Sequence, residues 1–392
     1  MIYLDHHATT PVDPLVVEAM VPWMTTLFGN PHSHTHNVGR HAAAACEQAL
    51  QSIAFQLGGF DDSIVVTSGA TESNNLAIQG VMRHPRQRRR HIITAASEHP
   101  SVLDPIMSLG KEGFRITVLP VRQQGDPDCG QIDIDQLRAA LNDDTALVSL
   151  MWANNEIGTV QPMATIAELV HQAGALLHTD ATQAVGHLKI DLDQVDIDLL
   201  SASAHKFYGP KGVGLLAIGK QRRVRVRPQL EGGGQQNGLR SGTLNVAGLM
   251  GMRAALEICN VDLEAENQRQ RLLRDRLWQR IQAAFPDAVV NGPALCADSE
   301  GSYWRLPNNL NLSFADVEGE TLMATMPDLA ISSGSACSSV DPRPSHVLMA
   351  IGLSESRARR SLRFGLGRTT TMQELDAAIQ MLVAAHGKVA MK

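Results

Sequence analysis

Short apolar runs alternate with helix-periodic stretches through the first two thirds of the chain, and this alternation sets the expected architecture. Residues 64–67, 91–95, 114–121, 146–152, 175–179 and 197–201 read as buried strands. Between them, 68–82, 100–110, 135–141 and 164–173 carry helical spacing. Two helices precede the series, at 13–24 with Asp13 as cap and Pro14 in the first turn, and at 40–57 before the stop Gly58-Gly59. Repeated strand-helix-strand units of this length predict an α/β fold, a mostly parallel sheet with helices on both faces and ligands at the strands' carboxyl ends. After Gly242 the pattern changes to long helices at 243–259 and 262–285, a strand at 308–314 and a closing helix at 373–386. We therefore expect a large α/β domain over 16–261, and a smaller α+β domain built from 1–15 and 262–392.

Composition narrows the class. The 392 residues are 44% hydrophobic and 19% charged, ordinary for a globular enzyme large enough for two cores. A formal charge of -6 gives no support for nucleic-acid binding, and the basic runs 86–90 and 220–227 read as solvated surface. The five cysteines (46, 129, 259, 296, 337) include no Cys-x-x-Cys pair, which argues against a disulfide framework or structural zinc and for a reducing cytoplasm. No apolar run approaches a membrane span, and the first residues lack the pattern of a secretory signal. Three histidines at 32, 34 and 36 alternate as strand ligands would, but the Gly29-Asn-Pro opening marks a turn and no further ligand is near.

The candidate chemistry centres on Lys206. It follows the apolar run 197–200 and precedes the run 212–218, so it sits on a turn between buried strands, where an ammonium is costly to bury and an amine can form a Schiff base with a carbonyl cofactor. Asp180 ends another apolar strand, 26 residues earlier, about one crossover unit. A carboxylate there can pair with a pyridinium nitrogen, and Gln183 could reach the ring's phenolic oxygen, a pairing that suits pyridoxal phosphate; an ordinary helix cap is the other reading of Asp180. His99 follows the strand 91–95 and could stack on a ring, move protons or simply cap a helix. The turn Ser68-Gly-Ala-Thr-Glu72 offers free backbone N–H groups and the Thr71 hydroxyl to a phosphate. Cys337 lies in a Ser/Gly/Pro-rich stretch, 332–345, read as a mobile surface loop that could deliver a thiolate to a substrate held elsewhere.

Taken together, Tyr3-Leu-Asp-His-His-Ala-Thr-Thr-Pro11, Gly29-Asn-Pro31, Thr67-Ser-Gly-Ala-Thr-Glu-Ser-Asn-Asn-Leu76, Asn154-Asn-Glu-Ile-Gly158, His178-Thr-Asp-Ala-Thr-Gln183, Ser203-Ala-His-Lys206, Arg240-Ser-Gly-Thr243 and Ser332-Ser-Gly-Ser-Ala-Cys337 resemble the cysteine desulfurases. These are pyridoxal 5'-phosphate enzymes of the class V aminotransferase fold, with a seven-stranded, mostly parallel sheet of fold type I. The resemblance implies conversion of L-cysteine to L-alanine with the sulfur left as an enzyme persulfide. It implies that Lys206 carries the Schiff base, Asp180 and Gln183 hold the ring, and His99 stacks on it. Ala70, Thr71, Ser203 and His205 would hold the phosphate, joined by Thr243 from a second subunit of a homodimer with shared sites. Asn155 and Arg363 would bind the substrate carboxylate, Asn155 also touching the cofactor, and Cys337 would be the nucleophile. No resident metal is implied, although Cys337 could ligate an iron-sulfur cluster transiently.

The form of the cysteine stretch resembles the long-loop branch that supplies iron-sulfur assembly and tRNA thiolation, so a sulfur-acceptor protein is the expected partner. Ala204 stands where glycine is common, 298–306 reads as an insertion, and the chain stops soon after its last helix, which leaves the acceptor open. A selenocysteine lyase or another class V lyase or aminotransferase is the alternative, separable by comparing cysteine and selenocysteine turnover. A non-catalytic sulfur-relay scaffold would lack the cofactor's absorbance.

Overall fold

A computed structural model describes residues 1–59, 64–299, 301–333 and 343–390. The first strand, β1 (Ile2–Tyr3), precedes two helices, α1 (Pro14–Thr25) and α2 (Asn37–Gln56). Asp13 caps α1, its carboxylate accepting from Leu15 N at 2.9 Å. Helix α2 begins three residues before the predicted start, because the His36 imidazole accepts from Gly39 N and caps it.

The large sheet follows the predicted alternation. Strands β2 (Ile64–Thr67), β3 (His91–Ala95), β4 (Arg115–Leu119), β5 (Thr145–Ser149), β6 (Leu176–Asp180), β7 (Leu199–Ser203) and β8 (Gly214–Ile218) lie in the order β2-β8-β7-β6-β5-β3-β4. Only β8 runs against its neighbours. Helices α3 (Ala70–Met82), α4 (Pro100–Lys111), α5 (Ile134–Ala140), α6 (Met163–Gln172) and α7 (Val246–Val261) accompany it. One apolar cluster, with Val148, Ile166, Leu177 and Leu249, lies on one face of the sheet, and a second, with Ile78, Ile92, Ile106 and Leu147, on the other. The neighbours Leu147 and Val148 thus feed opposite clusters, as expected of a strand buried on both faces.

A third apolar cluster joins Leu4 to Leu277, Leu312, Phe364 and Leu382. It lies around α8 (Leu263–Ala284), the sheet of β9 (Val289–Val290), β10 (Asn309–Ser313), β12 (Ser332–Ser333) and β13 (Ser361–Gly365), and α9 (Gly319–Ala324), with α12 (Met372–Ala390) closing it. Strand β1 pairs with β11 (Leu329–Ala330), and Asp5 bridges Gly365, so the first residues belong to this part before crossing to the large sheet. Short helices α10 (His346–Ala350) and α11 (Glu355–Arg359) pack instead against the large-sheet cluster, through Val347, Leu348 and Ala358.

Two surface readings change. Arg89, within a run taken as solvated, turns inward to donate to Thr145 O, Ala173 O and Gly174 O, and Arg222 of the other run pairs with Asp196. The end of the stretch read as an insertion is core: Arg305 is buried and donates to Asn291 O, Pro293 O and Asn309 Oδ1, while Leu306 joins the large cluster. Among the described residues, no helix is long and apolar enough to cross a membrane.

His178 carries a measurable cost. Wholly buried in β6, its ring nitrogens meet Ser149 Oγ at 2.7 Å and Ser201 Oγ at 3.0 Å. Burial lowers its pKa to about 4, outweighing the opposing pull of Asp180. As pH falls from about 6.5 towards 4, the unfolded chain takes up a proton that the folded chain refuses, so stability is lost across that window. In a His178→Asn variant, the slope of unfolding free energy against pH should be shallower there by up to about 1.4 kcal/mol per pH unit. Equal slopes in denaturant titrations would contradict this.

Candidate active site

A cavity of about 590 Å³ opens at the carboxyl ends of the parallel strands. Strands β2, β3, β5, β6 and β7 each lead into residues of its wall: Ser68–Thr71, His99, Asn155, Asp180, and Ser203 with His205 and Lys206. Ten of the predicted site residues line it, namely Ala70, Thr71, His99, Asn155, Asp180, Gln183, Ser203, His205, Lys206 and Arg363. Thr243 is exposed in the lead-in to α7 and is not part of this wall. Cys337 lies outside the described residues.

Lys206 closes a single 3₁₀ turn (Ala204–Lys206) directly after β7. Its Nζ donates to His7 O at 2.7 Å and Ala8 O at 2.8 Å, both backbone carbonyls of the crossing N-terminal segment. That segment is stitched to the lysine turn throughout: Thr10 N and Oγ1 donate to His205 O, Tyr208 N donates to Thr10 Oγ1, and Thr9 Oγ1 bonds His205 Nδ1. Burial, reinforced by the charges of Lys206 and Lys211, lowers the His205 pKa to about 4, so its imidazole is neutral.

Asp180 ends β6 and is buried. One oxygen accepts from Thr182 N at 2.9 Å, the local cap that its sequence context allows, and the other accepts from Asn74 Nδ2 at 2.8 Å. Gln183 sits beside it with both ends of its amide engaged by one residue: Oε1 takes His7 Nδ1 at 2.9 Å, and Nε2 donates to His7 O at 3.0 Å. Because Oε1 can only accept, His7 Nδ1 is the donor.

At the other end of the cavity, the N-terminus of the thirteen-residue α3 has no side-chain cap. Gly69 precedes it at φ 153°, ψ 177°, a backbone region open essentially to glycine, and Gly214 comes so near that a Cβ there would lie 2.6 Å from Gly69 Cα. The free N–H groups of α3 therefore face the wall formed by Ala70 and Thr71. Glu72 would oppose an anion at that end. Burial raises its pKa, but hydrogen bonds from Arg240 and Ser68 outweigh this and hold it below the ordinary carboxylate value, with Arg240 Nε 2.8 Å from Oε1. Arg240 thus pairs off the carboxylate's charge.

Arg363, in the middle of β13, brings a buried guanidinium to the cavity from the small sheet. Nη1 donates to Asn155 O at 3.1 Å, and Nη2 donates to Asp5 Oδ1 and Ser332 Oγ at 3.0 Å each. Among the described residues its buried Nε meets no acceptor, leaving a donor for a bound acid. Asn155 is held by its neighbours: Asn154 Oδ1 accepts from Glu156 N and Ile157 N, and Ser345 donates to the Glu156 carboxyl.

His99 caps α4, the plainest of the readings the sequence left open, and its ring also lines the cavity. Burial lowers its pKa, Lys206 and His346 push the same way, and Asp180 and Asp104 pull against them. Behind it Glu98 is fully buried, accepts from Met151 N at 2.7 Å and has its pKa raised well above the usual carboxylate value, mainly by burial.

Sequence reasoning missed His7, Asn74, Ser101 and Asp5, although His7 and Asp5 stand within the motif Tyr3 to Pro11. The partners of Asn74, His7 and Asp5 lie 106, 176 and 358 positions away, where no local pattern announces them, while Ser101 bonds His99 two positions back and Asn74 27 positions back.

The profile described as Aminotransferase class-V matches residues 2–378. Rat "Cysteine desulfurase" is 46% identical over 382 residues, covering 97% of this chain and 82% of the relative. "Cysteine desulfurase IscS" of Rickettsia rickettsii (strain Iowa) is 44% identical over 388 residues, covering 99% and 92%. A solved structure described as a NifS-like protein superposes with a TM-score of 0.88 at 34% identity, covering 98% of this chain and 99% of its own.

Proposed function

Because the chain belongs to the class V aminotransferase family and is a cysteine desulfurase, we propose that this cavity takes sulfur from L-cysteine with the help of pyridoxal 5'-phosphate and leaves L-alanine. The observation that carries the cofactor assignment is one wall holding four complementary features. These are a primary amine on a turn, a buried carboxylate, an uncapped helix N-terminus and a fixed amide. Lys206 would form the Schiff base, Asp180 would face the ring nitrogen, and Gln183 would meet the phenolic oxygen. The α3 N-terminus with Thr71, Ser203 and His205 would hold the phosphate. When bound, the cofactor supplies an electron sink for the substrate's Cα.

The remaining work falls to the chain's own groups. Arg363 binds the substrate carboxylate through donors that Asp5, Ser332 and Asn155 hold in plane. Lys206 moves a proton at the substrate's carbon. Cys337 attacks the substrate sulfur: a sulfur-sulfur bond forms as the carbon-sulfur bond breaks, its electron pair stays with the carbon skeleton, and a proton completes alanine. The persulfide then passes to an acceptor protein of iron-sulfur assembly or tRNA thiolation, and a reducing cytoplasm suits such a thiol. The exposure of Thr243 away from its own cavity supports its service in the site of a second copy, hence a homodimer.

Incubating the protein with L-cysteine and a reductant should yield alanine and sulfide in equal amounts. In Arg363→Lys the forked contact is lost, so KM for L-cysteine should rise by about 10- to 100-fold with a smaller change in kcat. Absence of alanine from the parent protein would overturn the reading, and an unchanged KM in the variant would overturn the role of Arg363.

A further inference from the structure

The cap that His99 provides to α4 also decides where its proton sits. Ser101 N donates to His99 Nδ1 at 3.1 Å, and Ser101 Oγ lies 2.7 Å from the same nitrogen. A backbone amide can only donate, so Nδ1 must present its lone pair. The direction of the hydroxyl follows from the other side. The Asp180 carboxylate accepts from Asn74 Nδ2, and the second hydrogen of that amide goes to Ser101 Oγ at 2.9 Å. Ser101 Oγ therefore accepts from Asn74 and turns its own proton to His99. Four side chains, Asp180, Asn74, Ser101 and His99, form one chain of hydrogen bonds in which the Asn74 amide donates both ways, to Asp180 and to Ser101, and Ser101 passes the donation on to His99.

We propose that Ser101, backed by Asn74, is a positioning residue that locks His99 as the neutral Nε2–H tautomer, so that this imidazole serves the reaction as a hydrogen-bond donor and not as the base that removes a substrate proton. For Nε2 to act as a base, the proton would have to move to Nδ1, where an amide that cannot reverse already points. Proton removal is left to Lys206. Asp180 from β6, Lys206 from the 3₁₀ turn, His346 from α10, and Asp104 on its own helix are the charged and titratable groups acting on the ring. The two carboxylates favour an imidazolium, and the donors on Nδ1 oppose it. The proposal rests on the desulfurase reading of the cavity, since it assigns a part within that reaction.

Neutron diffraction from crystals of the holoenzyme soaked in D₂O tests the tautomer directly. A deuteron on His99 Nε2 with none on Nδ1 is expected, and a deuteron on Nδ1 would overturn the proposal whatever the activity. The ionisation of the His99 ring, followed by NMR in holoenzyme carrying 15N-labelled histidine, tests the role of Ser101. Ser101→Ala should move that ionisation upward by about one pH unit, since one neutral hydrogen bond to the unprotonated ring is worth about that much. Ser101→Thr, which keeps the hydroxyl, should restore the parent value. An ionisation unmoved in Ser101→Ala counts against Ser101. Failure of the parent protein to turn over L-cysteine would instead strike the desulfurase reading, with the deuteron's position still deciding the tautomer.

Discussion

Lys206→Ala should lose alanine formation by on the order of 10⁴-fold, the upper range for removing a group that transfers protons at the reacting atom. It should also lose the visible absorbance that a lysine-linked pyridoxal cofactor gives the purified protein. The geometry explains why no neighbour can substitute. His205 is neutral and tied to Thr9, His99 is occupied at Nδ1, and Lys211, which also lines the cavity, lies beyond the turn rather than on it. The substitution removes one donor from the His7 carbonyl, which keeps Gln183 Nε2, and one from the exposed Ala8 carbonyl, which water can satisfy. A stability loss of only about 0.5–1.5 kcal/mol should therefore accompany the loss of activity, small enough for the variant to stay folded. Retained turnover in the folded variant would defeat the Schiff-base assignment.

The second large effect is expected from Cys337→Ser, which should keep the cofactor's absorbance yet form no persulfide and reduce sulfide release to background. A serine hydroxyl is far too weakly acidic to supply the nucleophile that sulfur transfer requires. The other thiols are poorly suited to replace it. Burial raises the pKa of Cys46 to about 11, of Cys129 to about 12 and of Cys259 to about 11, so these three remain protonated in neutral solution. Cys296 is exposed, but it opens on a separate groove with Trp278 and Pro293 and takes no part in the cavity wall. Mass spectrometry after incubation with L-cysteine should find added sulfur on Cys337 in the parent and on no cysteine in the variant. Persulfide on Cys296 or Cys129 would overturn the assignment.

Much of the sheet was legible because its strands are short, largely apolar and bounded by turn residues; the strand at 91–95 has the predicted limits. Strand β7 shows where that logic weakens. The apolar run 197–200 marks its beginning, but the strand extends through Ser201, Ala202 and Ser203, small residues buried by their neighbours on both faces. Composition does not distinguish them from a turn. Helix α7 was read from Thr243 and begins at Val246, because Asn245 accepts from Gly248 N and sets the start. In the site, residues on strand ends were legible because the fold's logic sends chemistry there. Those that hold them were not. Asn74 looks like any polar position on a helix, and only the folded sheet brings it to Asp180.

The N-terminal segment has a consequence for biosynthesis. Residues 7 and 8 supply the carbonyls that receive the Lys206 amine, yet β1 is anchored by residues 329–330 and Asp5 by Gly365 and Arg363. A ribosome makes one side of this arrangement among its first peptide bonds and the other more than three hundred residues later. During most of synthesis the ribbon can reach the lysine turn and Gln183, but its first residues lack the strands that anchor them. The segment that receives the Lys206 amine is thus fully anchored only as the last strand emerges, so a nascent chain stalled before residue 365 should not bind pyridoxal phosphate in the native arrangement.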